Sequence, residues 1–60
     1  MKCYLTTHYR TAEGEIRSND WTYTNGRLVA FKSIEAAESK GSSLVKMHDN
    51  IVGFSVEAEA

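Results

Sequence analysis

The sequence predicts an α+β domain with elements in the order βββαβ: an antiparallel three-stranded meander plus a C-terminal strand, with one helix packed on one face of the sheet. Three observations carry that expectation. Asn25-Gly26 lies between two β-forming runs, Ser33 opens a stripe of apolar and small residues at helical spacing, and both ends of the chain alternate with a period of two.

From Trp21 to Phe31 the chain reads as a hairpin, because Asn-Gly is the pair that best tolerates the positive φ angles of a two-residue type I′ turn. Such a loop sets Thr24 against Arg27, Tyr23 against Leu28, Thr22 against Val29 and Trp21 against Ala30. Trp21, Tyr23, Leu28 and Ala30 then share the core face. Thr22, Thr24, Val29 and Phe31 share the other.

Ser33 is placed to cap the helix that follows, and Glu35 adds charge favourable to its dipole. Ile34, Ala37, Gly41, Leu44 and His48, with Val45 alongside, form the inner stripe, while Lys32, Glu35, Lys40, Ser43 and Lys46 face solvent. Gly41 is the weak point, since glycine inside a helix costs about 1 kcal/mol relative to alanine. Its place on the inner stripe favours one continuous helix, because a small residue there admits a close approach to the sheet. Asn50 is expected to end the helix in the left-handed conformation, near His48 or Asp49.

Lys2 to Thr11 alternates as a strand, with Cys3, Leu5, Thr7 and Tyr9 on one face and Lys2, Tyr4, Thr6, His8 and Arg10 on the other. Glu13-Gly14 supplies a turn that pairs Thr11 with Ile16 and turns Ile16 inward. Inward parity must then change between Ile16 and Trp21, which calls for a bulge or bend at Ser18-Asn19-Asp20. Ile51 to Glu57 forms the last strand, with Val52, Phe54 and Val56 inward and a tail frayed from about residue 57 to residue 60. Counting reversals makes this strand parallel to strands one and three. The apolar run Leu28 to Phe31 favours placing it beside strand three through a right-handed crossover, the alternative being beside strand one.

Sixty residues bound the chain to one domain, 1–60, with a single modest core and little room for a large cleft. Seven basic and eight acidic residues give a net charge of −1, which offers no general attraction for nucleic acid or anionic membrane and favours a protein partner. One cysteine forms no internal disulfide, which points to a reducing, cytoplasmic compartment. No apolar run has the length of a membrane span or signal segment. A short chain without staples also leaves homodimerisation as a source of stability.

No residue cluster announces a chemistry. Cys3 and His8 point to opposite faces of one strand, Cys3, His8, His48 and Asp49 lack the paired spacings of a zinc site, and the acids are scattered over turns, outer helix and tail. The expectation is therefore a non-enzyme without cofactor or metal. Its binding surface is the sheet face turned away from the helix, carrying Tyr4, His8, Arg10, Arg17, Val29 and Phe31, since aromatic and arginine side chains make good interface anchors. Edge pairing by the first or last strand is a second route to a partner.

These features predict a small protein-binding module, of the kind mobile elements such as phages use to inhibit or modulate a larger host protein. A nucleic-acid-binding module on the open sheet is the alternative, since the order of strands before a capped helix over Trp21 to Leu44 is similar to that of small sheet-based DNA-binding domains. A self-associating structural protein is the third reading.

Overall fold

A computed structural model describes residues 2–59. Among them are three strands, β1 (Lys2–Arg10), β2 (Ile16–Asp20) and β3 (Ile51–Glu59), and one helix, α1 (Ile34–Met47). The sheet is antiparallel in the order β2-β1-β3, so β1 is central, and α1 packs on one face, mostly over β3 and partly over β1. The α+β class and the helix on one sheet face are as the sequence predicts.

The expected third strand is the main difference. Leu28 to Phe31 contributes only isolated bridges, Thr22 to Leu28 and Cys3 to Phe31, so the element order is ββαβ. Beyond Asp20, the Trp21 N–H donates to the Leu5 carbonyl at 2.8 Å, the chain leaves as a short ribbon, and Phe31 returns to exchange two hydrogen bonds with Cys3. Phe31 thus resumes the direction of Asp20. The excursion reverses the chain twice, which is why β3 runs antiparallel to β1 and lies beside it, rather than parallel to it beside a third strand.

Both turns have three-residue loops, not two. Gly14 N–H donates to Thr11 O at 2.9 Å while Thr11 N–H donates to Glu15 O at 2.8 Å, and Gly26, Tyr23 and Arg27 repeat the same pattern at 2.9 and 2.8 Å. Only the glycines, at φ +90° and +87°, are left-handed, which is the signature of a type I turn closed by a glycine bulge. Asn25 serves by its side chain, whose Oδ1 accepts the Arg27 N–H at 3.1 Å.

Each extra loop residue shifts the expected register by one. Ile16 sits opposite Arg10, not Thr11, and is 53% exposed instead of inward. The β1–β2 register then runs without a break to Thr6 opposite Asp20, so no bulge is needed at Ser18-Asn19-Asp20. In the ribbon, Trp21 lies against Val29 and Tyr23 against Arg27, instead of Ala30 and Leu28.

The core forms where the β1 alternation places it: Cys3, Leu5, Ala37 and Leu44 are buried, with Thr7 beside them. Burying these side chains supplies most of the drive to fold, at about 25 cal/mol per Å² of apolar surface. Ser33 caps α1, its Oγ accepting the Ala36 N–H at 3.1 Å, and the helix runs unbroken through Gly41. A β-carbon built at Gly41 would lie 2.5 Å from ring carbons of Phe54, so the phenyl ring packs against bare helix backbone.

Four further expectations change. Ile34 is 43% exposed, so the buried stripe begins at Ala37. Asn50 does not take the left-handed conformation; His48 ends the helix in an extended one, and a turn closes from the Ile51 N–H to the His48 carbonyl at 3.2 Å. The register shifts between His8 and Tyr9, so Ile51 pairs with Tyr9 and Val52 is left outward, 46% exposed. Glu57 and Glu59 are paired within β3 and not part of a frayed tail, while Ala60 lies outside the described residues.

Candidate functional site: the uncovered face and the strand edges

Alternation along β1 sends Tyr4, Thr6, His8 and Arg10 away from α1, and the antiparallel registers set Ser18 and Asp20 of β2 and Ser55, Glu57 and Glu59 of β3 beside them. Ile16, opposite Arg10, is its exposed apolar member, and the rest is polar and tied to itself. The Tyr4 hydroxyl donates to Glu59 Oε2 at 2.8 Å, and Thr6 Oγ1 donates to Asp20 Oδ1 at 3.1 Å. His8 spans the sheet, its Nδ1 2.7 Å from Ser18 Oγ and its Nε2 3.2 Å from Ser55 Oγ.

The bond to Glu59, with smaller effects of desolvation and of that carboxylate's charge, holds the Tyr4 hydroxyl above its ordinary pKa of 10.0. Both nitrogens of His8 are engaged by hydroxyls. None is left for the carboxylate that orients the base in a nucleophile–base–acid constellation. Cys3 is fully buried on the opposite face, and among the described residues no three His, Cys, Asp or Glu side chains converge.

Of the six side chains expected on this surface, Tyr4, His8 and Arg10 lie on it together. The other three do not. Arg17 is opposite Tyr9 on the helix side, where it bonds Glu15 at 3.1 Å with both side chains 60% exposed. Phe31 pairs with buried Cys3 on the helix side, and Val29 lies against Trp21, whose ring is covered by the Lys40 ammonium at 5.4 Å. The one-residue slip in each hairpin accounts for all three placements.

The strand edges differ in what they offer. On β1, Cys3 and Leu5 hydrogen-bond towards the β2 side and Arg10 towards the β3 side, so the even residues of β1 bond to Gly53, Ser55, Glu57 and Glu59. The N–H and C=O groups of Phe54, Val56 and Ala58 therefore point outward. Among the described residues no strand pairs with them. Sequence reasoning named the first or the last strand for edge pairing; β1 is central and flanked on both sides, so of these two the last strand is an edge, and its readable signal was Ile51–Glu59 itself, an alternating run with no proline, lysine or arginine to blunt it.

The remaining surface features are shallow. One depression is bordered by Arg10, Thr11, Asp49, Asn50 and Val52, and another by Thr7, Tyr9, Asn19, Asn50 and Ile51. No helix among the described residues is long and apolar enough to cross a membrane. A scan against protein-family models, curated proteins and solved structures finds no match for the chain.

Proposed function

We propose that this chain is a non-enzymatic protein-binding module that docks by strand addition along the outer edge of β3. The observation that carries the reading is the nine-residue edge that no strand among the described residues pairs with, a row of outward backbone donors and acceptors backed by half-buried Phe54 and Val56. Main-chain bonding to such an edge supplies affinity, and pockets for alternate side chains supply selectivity. A larger host protein offering an extended segment is a partner of this type.

The alternative use of the uncovered face, for nucleic acid, finds less support. Lys2, His8 and Arg10 share that face with Asp20, Glu57 and Glu59, so it lacks the basic stripe that phosphate binding requires.

Proline scanning tests the edge. Val56 and Ser18 each point their N–H away from β1, so proline at either position spares the ladder and blocks docking at that edge, at Ser18 with loss of the hydroxyl that His8 Nδ1 contacts. A bait of the whole chain should retain its partner with Ser18→Pro and lose it with Val56→Pro. Equal retention by both variants overturns the reading. Titration with duplex and single-stranded DNA at two salt concentrations should show no salt-steep binding.

A further inference from the structure

Resting on the reading of β3 as the docking edge, we infer that its occupant is a second copy of this chain, paired antiparallel about Ser55 to build a six-stranded sheet with both helices on one face.

The first argument is surface area. A folded monomer of 6.7 kDa is expected to expose about 3,900 Å². This chain exposes 4536 Å². Val52, 46% exposed, is the large apolar side chain of β3 that shares in this excess, and a standard interface covers roughly 800 Å² on each partner.

The second is hydrogen-bonding parity. Because Phe54 and Val56 both direct their backbone groups outward, a two-fold axis at Ser55 sets Phe54 of one copy against Val56 of the other as a hydrogen-bonded pair. Their side chains meet on the helix side as an aromatic and β-branched pair, a favoured cross-strand combination. Both rings and methyls gain cover that α1 alone does not give them.

The third is charge. The same axis sets Glu57 against Gly53 of the second copy, and the next residue inward from Gly53 is His8. Gly53 has no side chain, and a β-carbon there would meet nothing within 4 Å, so the carboxylate can lie over it on the side of the sheet that carries the Arg10 guanidinium. Glu59 falls at the same end, opposite Ile51. Shifting the axis to Val56 would move the two copies of Glu57 closer together, which charge repulsion disfavours.

Helix spacing is compatible. α1 lies mostly over β3 and partly over β1, so with strands about 4.8 Å apart two such helices come to lie within about 10 Å of each other, in direct contact.

Sedimentation equilibrium of the whole chain, combined with amide exchange at Phe54, Val56 and Ala58, tests this. The expected result is a dimer whose three edge amides gain protection as concentration rises, and a monomeric but folded Val56→Pro. Should that variant unfold, Glu57→Lys provides the second measurement. Its contact occurs twice in the dimer, so dissociation should become about tenfold easier, with recovery on adding Arg10→Glu.

A chain that stays monomeric at millimolar concentration, with edge amides that exchange freely, overturns self-pairing and leaves the strand-addition reading intact. A dimer whose edge amides remain unprotected likewise overturns self-pairing at β3. A dimer unaffected by Glu57→Lys overturns the axis at Ser55.

Discussion

β2 and β3 flank the same central strand, yet β2 is five residues long and exposed throughout, carrying Arg17 and Asp20, whereas β3 is nine residues long, with Phe54 and Val56 half-buried under a helix. Short length and charge are devices that protect a sheet edge, and β3 has acids only near its C-terminal end. α1 sharpens the contrast. Over β3 it brings bare backbone at Gly41 onto the Phe54 ring, while on the β2 side it sets the Lys40 ammonium over Trp21. A helix placed off-centre thus stiffens one edge as a docking strand and leaves the other thin and polar.

The largest expected effect tests which way each β3 residue points. Ser55 bonds back to Thr6, so Ser55→Pro removes a ladder donor between β1 and β3 and strands a carbonyl, costing about 1–3 kcal/mol. Val56→Pro, one residue on, should cost clearly less in chemical denaturation. If the two variants lose the same stability, the assignment of β3's inner and outer backbone groups is wrong.

Next in size is the seat of β3 under the helix. Gly41→Ala gains about 1 kcal/mol of helix propensity, yet the new methyl enters space held by Phe54, and overpacking of that kind costs about 1–3 kcal/mol. A net fall in melting temperature, relieved when Phe54→Leu is added, is the expected outcome. Lys40→Ala on the β2 side should cost only about 0.5–1 kcal/mol, the scale of one exposed cation–π contact.

How much of this was legible depended on turns. The β1 alternation and the Ser33 cap identified the core strand and the helix, because burial and orphan N–H groups act locally and leave a local pattern. The hairpins were misread as two-residue loops. For Ala12-Glu13-Gly14 the signal was present: a two-residue turn would force Glu13 to positive φ, whereas the three-residue loop asks this only of Gly14.

The parity conflict between Ile16 and Trp21 was the second sign of that slip. With Ile16 opposite Arg10, the inward residues of this edge are Arg17, Asn19 and Trp21 throughout, and no bulge is called for. The binding face inherited the error, since Tyr4, His8 and Arg10 depended on β1 alone whereas Arg17, Val29 and Phe31 depended on register. The value of Gly41 was half legible: its closeness to the sheet follows from the stripe, but its neighbour Phe54 follows from strand order, which lies outside any local pattern.

The smallest effect probes how the two edges are tied to β1 across the uncovered face, by Thr6 to Asp20 on one side and Tyr4 to Glu59 on the other. The protonated Tyr4 hydroxyl donates to a carboxylate, so folding raises its pKa above the ordinary 10.0. A group whose pKa rises on folding contributes stability below its unfolded pKa and loses it as pH climbs through the folded one. The stability that the Tyr4 hydroxyl contributes should therefore fade on the alkaline side, beyond pH 10.0, with no counterpart from the neutral Thr6 hydroxyl. Glu59→Gln removes the charge and weakens the acceptor, so the Tyr4 ring resonances followed by NMR should titrate at lower pH than in the parent chain. An unchanged titration would mean that the far end of β3 is not held by this bond, and the long edge would then be ordered by its backbone ladder alone.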